Sequence, residues 1–151
     1  MKKYRDCLII FLLGFILAGC SCKDYCSAAK KAGFDFSLKV KNPQIKAKKG
    51  EIEVGFIYKG KSITITKTDK CKTKEDKDGV CIIKNKANEK YFLLNCVPFN
   101  IYKKEGNIVI ANFTASSGYY SITCQEGFSK TELLYFYHLI EEVETIKQNP
   151  E

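Results

Sequence analysis

Histidine is nearly missing: the 151 residues hold one, His138. A single imidazole excludes sites built on several histidines. No Ser or Cys stands at a motif spacing from it, and a catalytic histidine needs a nucleophile or an orienting carboxylate nearby. His138 is therefore read as a packing or surface residue. No Gly-rich phosphate loop, HExxH or GxSxG occurs either, which removes the common signatures of nucleotide, zinc-protease and serine-hydrolase chemistry. Asp76-Lys77-Asp78-Gly79 resembles part of a calcium loop, but Lys74 stands where an oxygen ligand belongs and Asn85 where the bidentate Glu belongs. Glu141, Glu142 and Glu144 read as a solvated acidic helix end. The expectation is a protein without catalytic residues, metal or cofactor.

Long apolar runs are also lacking. From Cys7 to Gly19 come thirteen residues without a charge. A helix of that length spans about 20 Å, short of the roughly 30 Å bilayer core. It follows Lys2, Lys3 and Arg5 and ends in small residues, the layout of a secretory signal.

Leu17-Ala18-Gly19-Cys20 closes that segment. It resembles the lipobox of bacterial lipoprotein precursors. The resemblance covers only the first 20 residues and implies one functional residue, Cys20. In that family the thiol receives a diacylglycerol, the chain is cut before the cysteine, and the new terminus is often acylated. Residues 1–19 are then a signal peptide and residues 20–33 an anchor segment with a short helix. Residues 34–151 form a single β-rich domain. One acyl chain holds a protein only marginally, whereas two or three hold it durably. The membrane is thus the first partner, through covalent lipid. Ser21 in place of Asp after the cysteine implies the outer membrane rather than the inner.

What is present supports a folded, exported domain. Hydrophobic residues make up 45% of the chain, with ten Phe and nine Tyr, enough for a core. Beyond the signal, 22 basic residues oppose 16 acidic ones. Eight Lys lie between Lys23 and Lys49, and six Glu between Gln125 and Glu151. The basic end sits beside the anchor, where it suits an anionic surface; the plainer account is a solvated face. Nucleic acid is not expected as a partner of an anchored envelope protein.

Six cysteines remain after Cys7 and Cys20 are set aside: Cys22, Cys26, Cys71, Cys81, Cys96 and Cys124. An even number in an exported domain points to disulfides. Cys71 and Cys81 flank a polar loop and are expected to pair. Cys96 and Cys124 end two alternating segments and are the second expected pair. Cys22 and Cys26, four apart in a helix, are poorly placed to bond, so their state stays open.

Alternation of apolar and polar residues predicts about seven strands. These are Phe34–Val40, Glu51–Tyr58, Ser62–Lys67, Val80–Lys84, Lys90–Cys96, Asn107–Thr114 and Tyr119–Cys124. Lys23–Ala32 reads as a short helix stopped by Gly33. Thr68 to Gly79 reads as an exposed loop, and Pro98 as an interruption. Of Tyr119 and Tyr120, alternation buries one. At the C-terminal end the period changes. Ser129-Lys130-Thr131-Glu132 fits a capping box, with Phe128 and Leu133 as a hydrophobic staple. Leu133, Phe136, Ile140 and Val143 recur at helical spacing to about Lys147. The fold class is a small antiparallel sheet or barrel with a C-terminal helix. The function expected is a binding or interaction module with an unidentified protein partner. The alternative is an inhibitor of an extracellular enzyme or host factor, acting through the Cys71–Cys81 loop. A loop projecting rigidly from the surface would favour the inhibitor.

Overall fold

The computed structural model describes residues 24–94 and 96–148, with side chains to Glu141. The expected signal, Cys20 and Cys22 lie outside the described residues. A seven-stranded antiparallel sheet carries the fold, as the alternation predicts. Its strands are β1 (Gln44–Lys48), β2 (Glu51–Tyr58), β3 (Lys61–Thr68), β4 (Glu89–Leu93), β5 (Val97–Lys104), β6 (Asn107–Ala115) and β7 (Gly118–Phe128). Helix α1 covers 24–32 and helix α2 Lys130–Gln148. The strand order is β1-β2-β3-β7-β6-β5-β4, two meanders joined where β3 meets β7. The tight turns carry the backbone chemistry they need. Lys59 and Gly60, and again Glu105 and Gly106, have positive φ at both positions, the twist-matched turn of a two-residue hairpin.

One face of the sheet is apolar. Ile52, Val54, Phe56, Ile63, Ile65, Phe99, Ile101, Ala111, Phe113, Tyr120 and Ile122 are all buried. Leu133, Phe136 and Ile140 of α2 close over them. Rings interlock there. Phe113 stacks on Tyr120 at 5.0 Å, Phe99 lies 4.9 Å from Phe113, and Phe136 meets Phe56 and Phe128 edge-on. Such pairs add about 0.5–1.5 kcal/mol each beyond area burial. Helix α1 joins the same core through Ala28 and Ala32.

One core-face position breaks the pattern. Lys67 follows Ile63 and Ile65 in alternation and is only 1% exposed. Its Nζ donates to Ser117 Oγ at 2.6 Å and lies 5.1–5.6 Å from the rings of Phe34, Phe36 and Tyr120. Ring faces attract a desolvated ammonium, and these contacts help this face hold a charge.

The total of seven strands agrees with expectation, but two members differ. Phe34–Val40 is not a strand. Its alternation is real, with Phe36 and Leu38 buried, yet the segment runs as a strap across the apolar face, Phe36 edge-on to Tyr120. Alternating burial requires an extended chain against a surface; it does not require a ladder. Val80–Lys84 is not a strand either. Ile83 bonds to the Asn88 side chain through both its N–H and its C=O, and only Cys81 bridges, to Glu75. The strands in their place are β1, whose QIKAK carries too little apolar character to stand out, and β5. Pro98 lies inside β5, opposite Phe92. Pairing with β6 begins only at Asn100, so no ladder bond is lost on that side.

The expected Cys96–Cys124 bond is absent. Cys96 is exposed in the β4–β5 turn, beside Phe113 to Ser116 at one end of the sheet. Cys124 is buried at the other end, in the stretch of β7 that bulges opposite β6 between Ile108 and Ile110. Gly127 allows that bulge: its φ is +79°, and a Cβ there would fall 2.6 Å from Asn107 Cβ.

Candidate functional site

The second face of the sheet is built from polar residues in register. Pairing places Lys46 opposite Glu53, Glu53 opposite Thr66, and Thr66 opposite Ser121. Ser121 is opposite Asn112, Asn112 opposite Asn100, and Asn100 opposite Lys90. One polar row thus crosses all seven strands. It follows from the alternation that buries Ile52, Ile65 and Ile122 on the other side.

The chain between β3 and β4 must cross from the middle of the sheet to its far edge, and it crosses this face. Cys71 and Cys81 are joined by a disulfide. The loop they close lies on the sheet rather than standing in solvent. Asn100 Nδ2 donates to Asp76 Oδ2 at 2.8 Å and reaches the carbonyls of Val80 and Cys81. Asn112 Nδ2 donates to Cys81 O at 3.1 Å, and Thr114 Oγ1 to Gly79 O at 2.7 Å. Val80 and Ile83 are buried beneath the crossing. Row residues therefore satisfy loop carbonyls that would otherwise be orphaned.

Asp76 organises the loop. Its Oδ1 accepts from the N–H groups of Asp78 and Val80, and its Oδ2 from Asn100 and Lys90. Burial alone would raise this carboxyl, but the hydrogen bonds from Lys90, Val80, Asn100 and Asp78 outweigh it and hold it at about 2. Lys90 Nζ also lies 2.9 Å from Asp78 Oδ2. In the DKDG stretch the ammonium of Lys90 thus sits between the two carboxylates.

Between the crossing and β2 a groove of about 400 Å³ stays open. Thr66, Thr68, Ser121, Thr123 and Ile110 form its floor, and Lys72, Thr73, Ile82, Ile83 and Lys84 its wall. Tyr119 closes one end. Its hydroxyl donates to Glu75 Oε1 at 2.5 Å, which pushes the phenol up. Glu51 pairs with Lys72 from the wall and with Lys48 at 3.1 Å. Hydroxyls, an amide and apolar side chains converge here, the mixture that small sites use to fix orientation.

Other residues singled out in the sequence fall elsewhere. His138 is exposed on α2, its Nδ1 2.9 Å from Glu141 Oε2. Tyr120 is the buried member of the tyrosine pair. Cys26 is exposed on α1 and unbonded. Among the described residues, no cluster of His, Cys, Asp and Glu fit for a metal ion occurs, and no helix is long and apolar enough to cross a membrane. The floor of the groove was legible as the outward positions of β3 and β7. The wall was not, because a charged loop gives no sign of where it will dock. No family model, curated protein or solved structure matches the chain.

Proposed function

We propose that the chain is a lipid-tethered binding module of a bacterial cell envelope, with the groove on the polar face as its ligand-facing surface. The observation that carries the reading is the built groove: a floor of in-register hydroxyls and a wall fixed by a disulfide and by Asp76. The tether is carried separately, by Leu17-Ala18-Gly19-Cys20. The inhibitor reading wanted a loop that projects. The Cys71–Cys81 loop is bonded along Asn100, Asn112 and Thr114 instead, which favours the binding-module reading.

Two changes test the two halves. Cys20→Ala is expected to release the domain from membranes or to leave an uncut precursor; a processed, membrane-bound product would sink the tether. Ser121→Trp fills the groove without touching the apolar core. Cross-links from the groove rim to an envelope component are expected to disappear in this variant while its melting stays cooperative. Cross-links that persist unchanged would place binding elsewhere.

A further inference from the structure

We infer that the β1 edge, with α1 along it, is the surface that meets the membrane, and that it recognises anionic lipid headgroups. The inference rests on the tether reading and says which side of the domain faces the bilayer.

The first argument is reach. Only residues 21–23 separate Cys20 from the first described residue of α1, Asp24. An extended chain advances about 3.3–3.6 Å per residue, so α1 begins within about 15 Å of the lipidated sulfur. Helix α1 is not free to swing from there. Ala28 and Ala32 are buried in the core, Tyr25 Oη donates to Leu38 O, and Gly50 N donates to Ala32 O. A groove lined by Ser27, Lys31, Ile45 and Ala47 shows that α1 lies along β1. The tether therefore brings this edge, rather than any other, to the headgroups.

The second argument is charge. Lys30 and Lys31 on α1, Lys41 before β1 and Lys49 in the β1–β2 turn are all exposed. Lys46 and Lys48 on β1 are exposed as well, though each has a glutamate within ion-pair distance. Lysines held this close act within the Debye length of about 8 Å, and each strengthens attachment to an anionic surface about five-fold. Asp24 is the acidic residue among them on α1.

The opposite edge supports the orientation. Strand β4 is the other edge of the sheet, six strand positions from β1. It exposes Phe92 and, just beyond it, Leu94. With β1 on the membrane, these apolar side chains sit on the edge of the sheet far from the lipid.

The molecule carries its own probes. Cys26 is an exposed thiol on α1, and Cys96 an exposed thiol beside β4. The full lipidated chain would be reconstituted in vesicles of phosphatidylcholine, alone or mixed with phosphatidylglycerol. Alkylation by neutral N-ethylmaleimide would be followed peptide by peptide. On the anionic vesicles Cys26 is expected to react at least about five-fold more slowly, with Cys96 unchanged and the protection reversed by high salt. Lys30→Gln with Lys31→Gln, Lys41→Gln and Lys49→Gln should abolish the protection while leaving the chain on the vesicles. Equal Cys26 rates on both vesicle types would overturn the inference and leave the tether standing. A chain that floats with neither vesicle type would overturn the tether, and the inference with it. Protection that survives the four substitutions would show that lipid charge acts on the thiol without these lysines, and would refute their role.

Discussion

The two faces of the sheet come from the same strands and are covered in opposite ways. Beneath α2 the cover is apolar side chain on apolar side chain, and the buried Lys67 of this face lies against rings and donates to a hydroxyl. Beneath the Cys71–Cys81 loop the cover is backbone on polar side chain, with Asn100, Asn112 and Thr114 bonding to loop carbonyls. Burial on the first face is non-directional and tolerates any well-filled packing. The second face depends on distances and angles, and it leaves a groove where its bonds stop. The first face supplies stability and the second a shaped surface. The difference predicts that damage to the two faces will have different size and character.

The largest effect should come from the apolar face. Phe136 is fully buried and touches the rings of Phe56, Tyr58 and Phe128. Phe136→Ala should cost about 3–5 kcal/mol, measured by denaturant unfolding, and the product should aggregate. Ser121→Ala on the polar face should cost less than about 0.5 kcal/mol. Similar costs for the two would erase the distinction between the faces.

The staple of the polar face should rank next. Replacing Cys71 and Cys81 together by Ser removes a ten-residue loop closure, worth about 2.5–3 kcal/mol in the chain-entropy account. The aromatic core should survive, so near-ultraviolet dichroism should persist below the shifted transition. Loss of that signal at equal temperature would mean the loop supports the core directly.

Asp76 comes third, with a pH signature. Its carboxyl sits at about 2 against an ordinary 3.8. A folded value below the unfolded one adds stability that is complete above about 3.8 and is lost as pH falls towards 2. With a side chain 18% exposed, the gain is no more than about 2 kcal/mol. Asp76→Asn should remove it at neutral pH and flatten the stability curve between pH 4 and 2. An unchanged acid limb would place the titration on another group.

The sequence disclosed these faces unequally. Alternation in EIEVGFIY and SITITK located β2 and β3 with their inward residues, because each pair of neighbours sends one side chain to water. It misplaced FDFSLKV, since a strap over a face alternates as a strand does. It missed β1, whose short apolar side chains Ile45 and Ala47 are only half-buried at the edge. The loop failed differently: Asp76, Lys90 and Asn100 lie up to 24 residues apart, and no local pattern marks side chains that meet only after the chain has crossed the sheet. The expected Cys96–Cys124 pairing rests on strand ends alone, and strand ends do not say at which end of the sheet they lie.

The smallest effect concerns the helix start, where sequence and structure agree in detail. Ser129 N donates to Glu132 Oε2 at 2.8 Å, and Glu132 N donates to Ser129 Oγ at 3.2 Å. Phe128 and Leu133 on either side are fully buried. The Ser129 N–H holds the Glu132 carboxyl below its usual range; burial opposes this, and Lys61 Nζ at 3.0 Å reinforces it. Ser129→Ala removes only the hydroxyl half of the box, because the backbone N–H remains. The cost should be about 1 kcal/mol. The acid dependence carried by Glu132 should survive, its stabilisation still present above the ordinary glutamate range and lost as pH falls below it. Glu132→Gln should do the reverse, keeping a side-chain acceptor for Ser129 N while removing the ion pair with Lys61 and the pH dependence with it. A thermodynamic cycle over both changes separates cap from charge. A Ser129→Ala loss well above 1 kcal/mol, or one that takes the acid dependence with it, would show that the hydroxyl orients the carboxylate. The two halves of the box would then act as one unit.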